Sequence, residues 1–411
     1  MTEVTANITP TRGGKALRMR RIRLILALCL LDVLAPILVV LNYLGIELLF
    51  LVNLNQLLIF GSVVALTQSL SRKLLPIFFL AGLMLAISIL KMFLLTSSGN
   101  YNFTGSALGP YFFSLVMPFM IFISIMSQRK VDLEVVHSEL YWFAKWYSLI
   151  VIPLVLIYAA LHFSGRISYF GLGINFHYFA PFFFQRYSHV LGFAILILLT
   201  GKRAVLLNYI VQFFFFFIGQ IKRVPVKAFL VLIIAGVGIA VASGSLSILL
   251  RRFYLMYEVF RDVDFSDGLL GIANSYQAII LFGGRLEEVV GVIQYFTQHP
   301  NQIWLGSPPG ANFIWSVQQS DFETLKSFTH FTWLGYIFRF GLLPTAFLIS
   351  FLLYIATKGA DTNSPLWIVF LGLLTSATFG ANLLYSPVAW TLIAFYVRYG
   401  LPTSSQMKGK L

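Results

Sequence analysis

The chain has 411 residues, of which 58% are hydrophobic, 16% aromatic and 11% charged, and its mean hydropathy is +0.84. A soluble domain carries about 25% charged residues, so this composition excludes a soluble enzyme, a disordered chain and a nucleic-acid-binding domain. Lys and Arg number 29 against 15 Asp and Glu, a formal charge of +14; in a membrane chain such an excess marks the loops that face the cytoplasm. The composition predicts an all-α polytopic membrane protein with membrane lipids, and no nucleic acid, among its partners.

Residues 1–23 form a basic tail with Arg12, Lys15, Arg18, Arg20, Arg21 and Arg23 against the single acid Glu3. The apolar run that follows, 24–44, is too long for a signal peptide, whose apolar part spans about 7–15 residues. At 1.5 Å per residue it crosses a hydrocarbon core of about 30 Å, which places the N-terminus in the cytoplasm. Cys29, the one cysteine, lies inside this run, so no disulfide or Cys-based metal site is available. Asp32 is an acid in mid-span near Pro36 and serves either function or helix packing.

Further spans are predicted at 48–69, 74–95, 108–127 and 141–163. Arg72-Lys73 and Arg129-Lys130 fall on one side and the uncharged 96–107 on the other, as the positive-inside rule asks. The runs 187–201, 203–219 and 228–246 follow, separated by Lys202-Arg203 and by Lys222, Arg223 and Lys227. The aromatic segment 167–184, rich in glycine and interrupted by Pro181, reads as a short or broken span buried against its neighbours. If it crosses, the cluster at 222–227 is cytoplasmic and Lys202-Arg203 lies outside.

The long hydrophilic stretch 247–329 carries eight acids and five basic residues. Loops beyond about 15 residues are usually functional or disordered, and the apolar content here predicts a folded extracytoplasmic loop. Within it, Leu286, Val289, Val290, Ile293 and Phe296 repeat at three- and four-residue steps, which predicts an amphipathic helix over 284–298. A turn with Pro300, Gly306, Pro308, Pro309 and Gly310 comes next. The chain re-enters the membrane at 341–357, 365–381 and 383–400, so that 330–400 forms a C-terminal helical unit, and 401–411 is a short cytoplasmic tail with Lys408 and Lys410. That makes about 11–12 transmembrane helices and one long extracytoplasmic loop, with 24–246 as the N-terminal transmembrane bundle.

Nucleotide-binding loops, HExxH and Cys/His clusters are absent from the sequence, so no metal or cofactor is expected. The candidate site residues are cations and one histidine at the loop side of the membrane. Lys202 and Arg203 either grip an anionic headgroup or snorkel to the interface. Arg285 follows Gly283-Gly284 at a helix start suited to an anion, or pairs with Glu288 at i+3. His330 stands where the loop re-enters the membrane and could accept a hydroxyl proton, or be a structural histidine. Arg339, nine residues on, is placed to face the same cavity.

Taken in order, these residues resemble the O-antigen polymerase and ligase superfamily, the bacterial lipid-linked glycan polymerases and ligases. LLTGKRAVLL at 197–206 is similar to the family's small-Arg-small motif, with Lys202 at a small-residue position. Arg285 opening a helix before a Pro/Gly turn, and His330 followed by Gly341, resemble the family's loop. Arg166, Gly171 and Asn175 resemble the segment upstream. The sequence departs from the pattern at Phe331, where Asn commonly follows the His, and at Arg339, where an acid often precedes the Gly. The resemblance covers about residues 165–357.

The resemblance implies a C-type glycosyltransferase-like architecture in the bacterial cytoplasmic (inner) membrane, multi-pass, with both termini cytoplasmic. It implies an undecaprenyl-pyrophosphate-linked glycan as donor, a sugar hydroxyl as acceptor, and neither metal nor nucleotide sugar. His330 and Arg285 would be catalytic, and Lys202, Arg203 and Arg339 substrate-binding. A polymerase of oligosaccharide repeat units for an O-antigen or exopolysaccharide is the leading expectation, with a flippase and a chain-length regulator as partners. A ligase transferring finished glycan to lipid A core uses the same residues. A polysaccharide transporter or flippase is the third alternative; it would call for polar residues deep in several helices and repeated halves.

Overall fold

In a computed structural model the chain is mostly helical. The structure describes residues 12–43, 45–46, 50–67, 82–84, 86–93, 105–128, 131–164, 176–184, 186–199, 203–220, 285–315, 324–326, 331–359, 364–379 and 386–401, with 254, 257 and 261. The predicted span 228–246 and most of 247–284 lie outside these residues, as do Arg166, Gly171 and Asn175.

The first apolar run is a broken helix that starts earlier than its apolar part. Helix α1 (Arg12–Cys29) leads into a 3-10 turn, Leu30–Val33, and then α2 (Leu34–Tyr43). Pro36 accounts for the break, since it has no N–H to offer the carbonyl of Asp32 and its ring crowds that carbonyl. The basic end of α1 extends beyond the apolar run because Arg23 has a partner. Its Nε and Nη2 each donate at 2.7 Å to the carboxylate of Glu139, and its guanidinium lies 5.6 Å from the centre of the Trp142 ring.

Next come α3 (Phe50–Ala65), α4 (Gly82–Phe93), α5 (Gly105–Ser127) and the 31-residue α6 (Leu133–Phe163). A 3-10 helix, Phe176–Phe183, precedes α7 (Tyr187–Leu199) and α8 (Arg203–Gln220). After the loop unit described below, α11 (Leu342–Lys358), α12 (Pro365–Phe379) and α13 (Pro387–Phe395) complete the bundle, α13 ending in a π-helical turn, Tyr396–Gly400. Among the described residues one helix, Leu133–Leu161, is long and apolar enough to cross a membrane by length and composition alone. The other apolar runs are shortened by 3-10 turns or continue into residues outside the described set.

Long-range hydrogen bonds sort the helix ends into two groups. At the tail end, Arg23 meets Glu139, Gln128 donates to the Leu66 carbonyl at 2.9 Å, Arg398 donates to the Gln128 carbonyl at 2.8 Å, and the Tyr396 hydroxyl reaches the Ile355 carbonyl at 3.2 Å. At the loop end, Lys91 contacts the Leu305 and Gly306 carbonyls, Tyr111 the Arg339 carbonyl, Trp333 the side chain of Thr378, and Asn208 that of Ser376. The 3-10 helix runs between the two. Phe179 packs on Phe143 and Tyr147 at 5.0 and 5.1 Å, while Phe183, one turn on, reaches Tyr141 at 5.4 Å. From Phe176 to Phe183 this buried aromatic segment therefore runs alongside α6 toward the tail end, interrupted by Pro181 as the sequence anticipates; 167–175 lies outside the described residues.

The described part of the long loop is folded. Helix α9 (Arg285–Gln298), a turn around Pro300, strands β1 (Phe313–Trp315) and β2 (Thr324–Lys326), and helix α10 (Thr332–Phe340) make one unit. The strands pair antiparallel with Ile314 opposite Leu325. This ribbon is not foreseen by the all-α expectation; the rest of the described chain is helical or connecting. Val292, Phe296, Ala311, Phe313 and Phe338 form its own small core, separate from the main core that takes Tyr336 and Phe340. Burying a Phe or Val side chain contributes roughly 1.5–3 kcal/mol, enough to hold a short loop unit once it also rests on the bundle.

Candidate functional site

The loop unit joins the bundle along a seam of backbone hydrogen bonds between the turn 302–307 and the junction of α10 with α11. The Ser307 N–H donates to the Phe338 carbonyl at 2.7 Å, Leu342 N–H to Ile303 at 2.8 Å and Leu343 N–H to Trp304 at 3.2 Å. Gly341 and Gly306 have φ values of +87° and +82°, in the region that glycine alone enters without strain. A Cβ on Gly306 would run into the Arg339 carbonyl, and one on Gly341 into the Trp304 carbonyl and Gly306 nitrogen. The two glycines therefore let two backbones touch.

Arg339, expected among the substrate-binding cations, lies on the protein side of this seam. It is 2% exposed, and its Nη1 donates at 2.9 Å to the Ser114 hydroxyl of α5. Its carbonyl accepts from the Tyr111 hydroxyl at 3.2 Å, and Tyr111 in turn lies 2.9 Å from the Ser88 hydroxyl of α4. In this arrangement Arg339 ties α10 to α5.

The remaining candidates are placed through their backbones. Arg203 is the first residue of α8 and Arg285 the first of α9, as the motif and the periodicity predict. Glu288, one turn past Arg285, is fully buried. Lys202 and His330 lie outside the described residues; Phe331, next to His330, is the N-cap of α10. The structure ties α8 and α10 to the same helix, α12, at positions two residues apart and so on different faces of it. Ser376 and Thr378, in the last turns of α12, bond Asn208 of α8 at 2.5 Å and Trp333 of α10 at 3.1 Å. The second half of α9 packs on the far part of α10, through Tyr295 and Phe296 against Phe338.

Two features were not foreseen. One is Lys91 at the loop end of α4, whose Nζ donates to the Leu305 and Gly306 carbonyls. The other is a cavity of about 370 Å3 beside it, lined in part by Gln298, His299, Asn301 and Gln302. In the sequence, Lys91 is the sole charge in the run 74–95, and a lone cation in an apolar stretch was the available signal. Tyr295, beneath His299, has its phenol pushed up by burial, so it stays protonated and donates to Gln302 Oε1 at 2.7 Å.

Fold and site thus define a helical bundle carrying a docked, separately cored loop unit. The chain matches no family model, no curated protein and no solved structure.

Proposed function

We propose that the chain is a multi-span protein of the bacterial cytoplasmic membrane that joins undecaprenyl-pyrophosphate-linked repeat units into a surface polysaccharide. The observation that carries this reading is that the last turns of α12 bond both α8 and α10. The start of α8, opened by Arg203, and the start of α10, preceded by His330, meet Ser376 and Thr378, although they are about 130 residues apart in sequence. The resemblance to lipid-linked glycan polymerases assigns function to those same two starts. The sorting of helix ends supports the topology, since the pairs at the tail end and at the loop end named above each join ends that the charge pattern assigns to one side. The apolar exterior supports the membrane, with Phe93 and Phe347 each 66% exposed, Leu90 58% and Phe214 57%, surface that water would penalise and lipid accepts.

In this reading the acceptor sugar hydroxyl attacks the anomeric carbon of the donor glycan. The bond from that carbon to the diphosphate oxygen breaks, and undecaprenyl pyrophosphate leaves. His330 takes the hydroxyl proton, while Arg203, Arg285 and Lys202 stabilise the negative charge on the departing diphosphate. Arg339 acts as a positioning residue, holding α10, the helix that His330 precedes in the sequence, against α5. A flippase and a chain-length regulator are its proposed partners.

The test is glycan length in a polymerase-null bacterial host. Arg285→Ala and His330→Ala, at wild-type protein level, are expected to leave single repeat units on the lipid carrier. Full-length polymer from either variant would overturn the assignment.

A further inference from the structure

The cavity beside Lys91 has a size typical of small-molecule sites, which run about 300–1,000 Å3. Lys91, Gln298, His299, Asn301 and Gln302 supply its polar lining, and among these described residues there is no carboxylate. The hydrogen bonds of Lys91 go to two carbonyl oxygens, neutral partners, so that among the described residues no carboxylate compensates the ammonium charge. The Nδ1 of His299 lies 3.0 Å from the Tyr295 carbonyl. That acceptor assigns the proton to Nδ1 and leaves Nε2 for a ligand, as acceptor when the ring is neutral and donor when it is charged. Because Gln302 Oε1 is occupied by the Tyr295 hydroxyl, the amide NH2 of Gln302 remains as a donor. One ammonium, one imidazole and three amides in a lining without negative charge suit an oxyanion flanked by hydroxyl groups.

The rim adds a second, independent observation. Leu305 lines the cavity, yet it is 45% exposed, and its neighbours Ile303 and Trp304 are exposed as well. Their carbonyls are bonded by Leu342 and Leu343, at the start of α11, and these leucines are also exposed. A charged cavity therefore opens onto an apolar surface that runs on into the exterior of α11. An amphiphile bound with its head in the cavity finds its chain against this surface.

We infer that this cavity binds the phosphate head of a lipid-borne substrate, with the lipid chain lying along the exposed face of α11. The inference rests on the polymerase reading for the identity of the lipid, a long-chain prenyl diphosphate. Joining two lipid-linked glycans requires two diphosphates to be held at once, and Lys91 with His299 supplies a phosphate site built from residues other than Arg203 and Arg285.

The experiment is a binding titration of the full-length protein in phosphatidylcholine nanodiscs, with farnesyl diphosphate, inorganic pyrophosphate and farnesol as probes. Every form, whether wild type or substituted at 91 and 301, carries Arg203→Ala and Arg285→Ala so that the other diphosphate site is silent. Wild type is expected to bind farnesyl diphosphate at least tenfold more tightly than either of the others. Lys91→Gln should weaken that binding tenfold or more. Asn301→Asp, at an exposed position where folding is not at risk, should do the same by placing a carboxylate in the lining. Wild-type affinity in both variants overturns the site. Pyrophosphate binding as tight as that of farnesyl diphosphate, and equally reduced in both variants, overturns the lipid component and leaves a free-phosphate site. Because binding is read directly, either result stands apart from the glycan-length assay that decides the polymerase reading.

Discussion

Two glycines carry more of the architecture than any charged residue. Gly306 and Gly341 sit back to back with left-handed backbones, and what meets a Cβ there is main chain, which cannot swing aside as a side chain can. An alanine at such a conformation costs about 1–3 kcal/mol before any overlap is counted. Gly306→Ala and Gly341→Ala are each expected to lower the thermal midpoint of the detergent-purified protein by several degrees, read by size-exclusion after heating. Gly61→Ala, a helical position with open space around it, should be neutral or slightly stabilising. Equal behaviour of all three variants would show that the seam is not tight. Arg339 teaches a related lesson. As a sequence feature it is one more cation near a boundary; its burial depends on Ser114, 225 residues away, and no local pattern announces that partner.

Among elements, the contact of α8 with α12 is the one that orients the candidate site. Gly372 allows it, since a Cβ there would meet the amide of Gln212 and the Asn208 side chain. These are side-chain ends in a fully buried setting, so the outcome depends on size. Gly372→Ala should cost less than about 1 kcal/mol through a shift of Gln212, whereas Gly372→Val overpacks the interface by about 1–3 kcal/mol. Thermal denaturation of the two variants checks this, and a valine as mild as alanine would refute it.

The same elements show how much was legible beforehand. Runs of apolar residues marked α8, α11 and α12 to within a few residues, because a helix of that kind is defined by its own side chains. The break at Asp32 was not foreseen in the single span read over 24–44, although Pro36 was its signal; the irregular Phe176–Phe183 was marked by Pro181. The early starts of α1 and α6 were not legible, because the extra turns are held by Arg23 meeting Glu139 across more than a hundred residues. Arg203 and Arg285 were expected at helix starts and stand there; the cavity at Lys91 was invisible because the rest of its wall, drawn from residues 298–306, arrives more than about 200 residues later.

Over the whole molecule, the two groups of helix ends amount to a statement about sidedness that one labelling experiment can read. Cys29 is buried, so the native background is quiet. Thr297, at the loop end, and Ser138, at the tail end, are both exposed. Thr297→Cys is expected to react with an impermeant maleimide on intact spheroplasts, and Ser138→Cys only after permeabilisation. Both labelling from outside would overturn the topology.

The seam also has a consequence in time. Lys91, Tyr111 and Ser114 are synthesised early, while Gly306 and Arg339, which they receive, come some 215–228 residues later. At about 5–20 residues per second, the early helices wait roughly 10–45 s with these hydroxyls and this ammonium unmet by their final partners. The completed protein thus depends on an interval in which α4 and α5 must stand beside each other without the loop that will close over them, and Tyr111 with Ser88 is the bond available to hold them there.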